Sequence, residues 1–552
     1  MYIGKLVLIA PSIYLIVAAI IVLLLGVVAS RRPDKGLDHY LPVQYLAPAL
    51  TFVGVILAGG VVWHSMLLVG KSTAVSIGNE IVQVPIIGLF IANNGYAQLT
   101  VDPFAAILSF VAFAGTLLVM LLSLEHFGER QVHKAEYYAL LMLAAAAAAL
   151  ASAASDLIAL YLSIEFLSLT SYVLAAYAKT DRRSGEAGLK YFLCGAACSA
   201  IMLYGMSILF GVTGGSTAFA AIAKNLTSQA AMTGAAWVGV MFVLVGLCFK
   251  LALTPFHFWA PDAYEGAPTP VTAFLSVVSK AAGLAVMVRF LLVAVLPDKP
   301  YALSWYWILV VLTAATMFYG NLVAIAQRNI KRMLAYSGIA QMGYLMIGVL
   351  TAMHAFAVFG QSRFGIPTSA VRADIVDGGV IPWDMQGVLI YILAYLFMNI
   401  GAFAVVVAVG KQLGSNLIES YAGLTRRSPL YASALTVFLV SLAGVPPTAG
   451  FVGKLFIFGG AIRAGVVGRP ELVTLAVLGV VNSVISAYYY LNVVRLMFFH
   501  PSDSKLEVRA GWSLNAAVVL SLAVTLGLIL LAGPLSLLTG NAAYAALVSM
   551  PR

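Results

Sequence analysis

The stretch Phe249 to Trp259 reads FKLALTPFHFW, and a second, Val440 to Phe451, reads VSLAGVPPTAGF. Each places proline inside a run of residues apolar enough to cross a membrane. Proline within a helix removes a backbone hydrogen bond and clashes with the preceding turn. In lipid the freed carbonyls must find partners in protein or water. Aligning Lys250-Leu-Ala-Leu-Thr-Pro255 with Ser441-Leu-Ala-Gly-Val-Pro446 gives a constant step of 191 residues. Matched interruptions in two halves of a membrane chain point to an internally repeated transporter core with its site at the breaks.

Composition supports this setting. Of 552 residues, 62% are hydrophobic and 9% charged, with mean hydropathy +0.99, whereas soluble domains carry about 25% charged residues. A spanning helix needs about 20 mostly apolar residues. That ruler predicts fourteen: 7–29, 42–69, 103–124, 135–154, 157–178, 187–212 and 235–258, then 269–296, 302–326, 331–352, 386–410, 430–462, 472–499 and 512–538. The expected fold is therefore an all-α polytopic membrane protein. The interruptions fall in the seventh and twelfth helices, so a five-helix repeat fits helices 4–8 and 9–13. Five is odd, so the second copy enters the membrane upside down. The expected divisions are 1–130 for helices 1–3, 131–298 and 299–500 for the two repeats, and 501–552 for helix 14.

Loops are short, which leaves no room for a soluble catalytic domain. The longest polar stretch, 353–385 with Pro367, Asp374, Asp377 and Asp384, holds at most a small excursion from the membrane. The first apolar segment lacks a basic flank and a small-residue cleavage pattern, and reads as an uncleaved helix. Cys194, Cys198 and Cys248 lie in apolar helices without the ligands of a zinc or iron–sulfur site, and read as packing residues. The net charge of +10 is not a nucleic-acid footprint. With alternating loops, one side of the membrane collects seventeen Lys and Arg and the other nine. By the positive-inside rule both termini face away from the cytoplasm.

Six charges fall inside the predicted spans: Glu165, Lys190, Lys250, Lys280, Arg289 and Lys454. A charge at mid-membrane costs about 2.5–3.5 kcal/mol on insertion scales, so such residues mark ion paths, proton relays or buried pairs. Glu165 sits about two and a half turns into the fifth helix, close to mid-membrane. Lys250 precedes the first break, Lys280 lies midway along the eighth helix, and Lys454 follows the second break. These four are too deep to reach the interface. Arg289 lies near its helix end, so it reads as an interface anchor that snorkels and is set aside. Lys190 opens its helix after the charged loop TDRRSGEAG, and snorkelling and relay both remain open. His257, beside aromatic residues at the first break, reads either as a packed core histidine or as a bridge between lysines through water.

At this point a family resemblance enters. The run FKLALTPFHFWAPDAYEGAPTPVTAFLSVVSKAAG, from Phe249 to Gly283, closely resembles the signature of the subunit N family of proton-pumping NADH:quinone oxidoreductase, respiratory complex I. NIKRMLAYSGIAQMGYLMIGVL, SLAGVPPTAGFVGKLFIF and SAYYYLNVVRLMF resemble it too, over roughly residues 130 to 500. The resemblance implies an antiporter-like fold of fourteen helices with inverted repeats. It makes Glu165 and Lys250 the ion pair of helices 5 and 7, Lys190 an accessory lysine, Lys280 the central relay and Lys454 the terminal lysine. It implies a proton-translocating subunit of a larger enzyme in the inner (cytoplasmic) membrane, with no redox centre or cofactor of its own. Flavin, iron–sulfur clusters and the quinone site are expected in partner subunits of the membrane and redox arms. Lys454 stands where the sister subunit M has glutamate, and no long lateral helix follows helix 14. Gln341 departs from the histidine of many members. The wording EGAPTPVTAFLSVVSK is also similar to the homologous subunit of the photosynthetic NDH complex. A Mrp-type sodium/proton antiporter subunit, which shares the fold, is the rival reading.

Overall fold

A computed structural model describes residues 9–30, 41–67, 74–77, 80–83, 87–91, 97–127, 134–228, 234–295, 302–362, 383–466, 468–501, 507–533, 536 and 539. Among them are fourteen helical segments long and apolar enough to cross a membrane, one for each predicted span. In chain order the helices are α1 Ala10–Ser30, α2 Leu41–Leu67, α3 Pro103–Phe127, α4 Lys134–Ala153, α5 Leu157–Ala175, α6 Arg182–Val212 and the short α7 Phe219–Ser228. Next come α8 Gly234–Leu251, α9 Trp259–Gly266, α10 Thr269–Arg289, α11 Ala302–Ile325 and α12 Ile330–Ser362. The chain continues with α13 Trp383–Leu413, α14 Leu424–Arg427, α15 Pro429–Ala443, α16 Ala449–Val466, α17 Pro470–Phe499 and α18 Trp512–Leu530. Of the polar stretch expected to leave the membrane, α12 takes residues up to Ser362, and Pro367, Asp374 and Asp377 lie outside the described residues.

Local chemistry sets many helix boundaries. Asp156 caps α5, accepting from the backbone N–H groups of Ile158 and Ala159, and Asp181 caps α6 in the same way. Such side chains satisfy the orphan donors of a helix start. Proline occupies the first turn of α10, α15 and α17, where its missing N–H costs nothing. Lipid offers little reason for apolar surfaces to prefer one another, so burial marks helices whose polar groups need protein neighbours. Helices α10, α12 and α13 are enclosed on nearly every side, while α1, α2 and α6 leave large apolar faces outward. The enclosed three carry Lys280, Gln341 and the tyrosines Tyr391 and Tyr395.

Between α2 and α3 lie two antiparallel hairpins that the sequence reading passed over. Strands β1 (Ala74–Ile77) and β2 (Glu80–Gln83) pair Ile77 with Glu80, and β3 (Ile87–Ile91) and β4 (Ala97–Val101) pair Leu89 with Leu99. The second hairpin leads to a correction. Arg289 does not snorkel; its guanidinium is buried and bonds Asp102 Oδ1 at 2.7 Å, the Ser152 carbonyl at 2.6 Å and the Thr100 carbonyl at 3.4 Å. Asp102 also caps α3 through the Ala105 N–H at 2.8 Å. A guanidinium fork with a carboxylate and two carbonyls to bind has no need of the interface.

Both breaks are built on one hydrogen-bond pattern. Helix α8 ends as the N–H of Ala252 bonds the Phe249 carbonyl and that of Leu253 bonds the Cys248 carbonyl. Helix α15 ends as Gly444 bonds Ser441 and Val445 bonds Val440. These are Schellman closures around a left-handed residue, Ala252 with φ +56° and Gly444 with φ +85°. The equivalence therefore steps by 192 residues, not 191. The shared Leu-Ala pair drew the sequence alignment one residue short, whereas the left-handed residue fixes where the helix stops.

Candidate functional site

The site runs through the bundle from α5 to α17. On α5, the half-buried Glu165 accepts a short hydrogen bond from Ser199 Oγ of α6. Lys250, buried at the end of α8, donates to Ser168 Oγ at 2.9 Å. Ser168 is one turn beyond Glu165 on the same helix. The expected Glu165–Lys250 ion pair is thus not a direct contact: Ser199 holds the carboxylate and Ser168 holds the ammonium. Trp259 Nε1 donates to the Phe249 carbonyl at 3.1 Å, a second donor beside the Ala252 N–H of the closure.

Lys280 of α10 is fully buried and its ammonium has no hydrogen-bond partner. It lies 5.8 Å from the ring centroid of Tyr264 on α9. Gly338 of α12 makes room for it, since a Cβ there would stand 2.8 Å from the ammonium and 3.1 Å from Tyr395 Oη. The hydroxyls of Tyr264, Tyr395, Tyr191 and Ser279 are likewise buried and unpartnered. Buried polar groups are nearly always satisfied, so this cluster of unpaired groups is a polar exception within the enclosed helices.

From Tyr395 the polar line continues one turn along α13 to Tyr391, whose hydroxyl donates to Gln341 Oε1. Gln341 Nε2 donates to the Leu442 carbonyl at 3.1 Å and to Tyr490 Oη at 3.3 Å. The Leu442 carbonyl belongs to the last turn of α15 and also accepts from Lys454. The Lys454 ammonium bonds Leu442 O at 3.1 Å, Ala443 O at 3.0 Å and Ser483 Oγ at 3.2 Å, over the Tyr344 ring at 4.4 Å from its centroid. A cation on terminal helix carbonyls complements the negative end of the helix dipole. Gly450 lets α16 fold back this tightly, because a Cβ there would fall 1.8 Å from the Ser441 carbonyl.

Two sequence candidates stand apart. Lys190 is nearly half exposed and pairs with Glu186 and Asp262, each at 2.8 Å. Arg332 bonds Asp262 at 2.7 Å and Glu265 at 2.9 Å, so Lys190 belongs to a charged network joining the starts of α6 and α12 to α9. His257 is buried at the break against Phe258 and Tyr319, with ring centroids 4.5 and 4.3 Å away. It makes no side-chain hydrogen bond and bridges no lysine by direct contact. Sequence reasoning missed Asp262, Glu265 and Lys331. Lys331 is buried and donates to the Glu265 and Ala267 carbonyls at 2.8 and 2.6 Å, closing the end of α9. The carboxylates in WAPDAYEGAP were the visible signal. Among the described residues no three His, Cys, Asp or Glu side chains gather as a metal-ligand set.

Comparison with known proteins adds to this geometry. The family model described as "NADH:quinone oxidoreductase/Mrp antiporter, TM" matches residues 154–361 and 378–486. The NADH-quinone oxidoreductase subunit N of Desulfitobacterium hafniense is 42% identical over 443 residues, covering 80% of this chain and 85% of that protein. A chain of respiratory complex I from Thermus thermophilus, solved with bound aureothin, aligns with TM-score 0.66 and 29% identity over 94% of this chain and 97% of that one. A chain of the Mrp complex from Dietzia aligns with TM-score 0.76 at 22% identity over 97% of both chains, a likeness of fold.

Proposed function

We infer the function from one premise: the chain belongs to the NADH:quinone oxidoreductase/Mrp antiporter transmembrane family, among its subunit N members. On that premise the chain is a proton-translocating membrane subunit of a respiratory-type NADH:quinone oxidoreductase. Redox chemistry in partner subunits drives it, and the buried line from Glu165 to Lys454 carries the protons. The observation that supports this most is Lys280. A fully buried ammonium without a counter-ion or hydrogen-bond partner, over the Tyr264 ring, is costly unless its charge comes and goes.

In this reading protons reach Lys250 and Lys280 from the face where α9 ends. Glu165 and Lys250 act as the gate. With the carboxylate near, Lys250 stays protonated and donates to Ser168; when the carboxylate swings away, the desolvated ammonium gives the proton up. Lys280 receives it and passes it toward Tyr395 and Tyr391. The Gln341 amide cannot hold an extra proton, so passage there runs through hydroxyls and ordered water. Lys454 then takes the proton at the second break and releases it to the opposite face. The two broken helices are the corresponding parts of helices 4–8 and 9–13 inserted in opposite senses, which is the reading the common closure at Ala252 and Gly444 supports.

Lys250→Ala in the assembled complex tests this. Proton pumping, measured as vesicle acidification per electron transferred to quinone, should fall several-fold while the complex still assembles. Normal pumping in an intact complex would rule the gate out.

A further inference from the structure

Helices α11 and α17 each carry a fully buried asparagine, Asn321 and Asn482. An amide buried in place of an apolar side chain must recover its desolvation cost through hydrogen bonds. Asn321 Nδ2 donates to Asn482 Oδ1 at 3.0 Å and to the Asn482 carbonyl at 3.2 Å. Asn321 Oδ1 accepts from Tyr489 Oη at 3.1 Å, and Asn482 Nδ2 is committed to the Leu478 carbonyl at 2.9 Å. Turning the Asn321 amide over would set its oxygen against Asn482 Oδ1, so its nitrogen is fixed on this side. The same nitrogen donates to Tyr344 Oη at 3.0 Å.

Tyr344 is the ring on which the Lys454 ammonium rests. The rest of that seat is the two α15 carbonyls and Ser483 Oγ, and Ser483 follows Asn482 directly in α17. Carbonyl dipoles and a ring face favour an ammonium over a neutral amine. The carbonyls are fixed by the break and Ser483 rides on the α17 backbone beside Asn482, so the adjustable wall is Tyr344, which the asparagine pair anchors through Asn321. The titratable groups around the seat are tyrosines: Tyr344 from α12, Tyr391 from α13 against Gly453, and Tyr489 and Tyr490 from α17. No carboxylate or second cation acts on Lys454 among the described residues.

We propose that Asn321 and Asn482 are positioning residues that set how firmly the Lys454 seat holds a protonated side chain. This rests on the reading of Lys454 as a relay. The test is the pH profile of pumping per electron in the assembled complex, whose alkaline limb reports loss of the proton from the seat. Tyr344→Phe keeps the ring and removes the hydroxyl; Asn321→Leu removes the donor. Each should move the alkaline limb toward acid by about half to one pH unit, the worth of one hydrogen bond. The double variant should move it no further, because both break one chain of contacts. A half-buried amide away from the proton path, Asn515, whose Nδ2 donates to the Ala510 carbonyl at 3.1 Å, serves as control: Asn515→Leu should lower stability without moving the limb. An unmoved profile in Tyr344→Phe overturns the proposal even if Asn321→Leu does not assemble, and where both single variants assemble, additive shifts in the double variant overturn it too. Lys454→Ala separates the two levels. Pumping that survives it removes the relay reading itself, whereas lost pumping with unmoved profiles removes only the role of the asparagines.

Discussion

At the scale of single residues, the membrane makes each buried charge a question about its partner. Arg289 and Asp102 answer it for each other, with side chains 6% and 0% exposed and 2.7 Å apart. Removing one member of such a pair leaves an uncompensated buried charge, which costs about 3–5 kcal/mol. Asp102→Ala should therefore sharply lower the thermal midpoint of the detergent-solubilised complex. Replacing both, as Asp102→Leu with Arg289→Met, should recover much of the loss. An Asp102→Ala protein as stable as the parent would show that the pair contributes nothing. Arg289 also shows where sequence reading stops. Its distance from the helix end was legible and suggested an anchor, but its counter-charge lies in another part of the chain that no local pattern connects to it. Lys280 and Lys454 were legible because depth alone excluded snorkelling. Their neighbours, Tyr264 on α9 and Tyr344 on α12, were not, because a tyrosine among apolar residues looks the same whether it packs or holds an ammonium.

At the scale of elements, the helices were readable and their breaks nearly so. Twenty apolar residues in lipid leave the backbone little alternative to a helix, so the fourteen spans could be counted. The hairpins of β1 to β4 were invisible because short apolar strands broken by Gly and Asn look like loop. The register of the breaks was displaced by one residue because sequence identity and backbone conformation disagreed, and conformation decides. Gly444 makes that decision testable. Its φ of +85° is left-handed, which costs a residue with a Cβ about 1–2 kcal/mol. A Cβ there would also stand 2.9 Å from Lys454 Cδ. Gly444→Ala should thus push on the lysine seat and reduce pumping per electron more than it reduces assembly. Ala252→Gly, which accepts the same backbone conformation without a clash, should leave both close to the parent. Equal losses of pumping and assembly in Gly444→Ala would show that the break only supports the fold.

At the scale of the whole molecule, the positive-inside rule predicts an orientation in the membrane that labelling can check. The starts of α6 and α12 and the end of α9 meet in the network of Glu186, Lys190, Asp262, Arg332 and Glu265. These ends therefore share one face, the face to which loop counting assigned seventeen of the Lys and Arg residues. Helix α6 has 31 residues, about 46 Å at 1.5 Å per residue, enough to carry the chain across in one pass. Arg183 at its start and Lys224 beyond its end are both exposed and so report on opposite faces. The positive-inside rule places Arg183 in the cytoplasm. In a background lacking Cys194, Cys198 and Cys248, a membrane-impermeant thiol reagent should label Arg183→Cys in inverted vesicles and not in intact spheroplasts. Lys224→Cys should behave in the opposite way. The reverse pattern would turn the molecule over and, with it, the direction of proton flow: the charged network at the end of α9 would then mark the outlet, and Lys454 would load protons rather than release them.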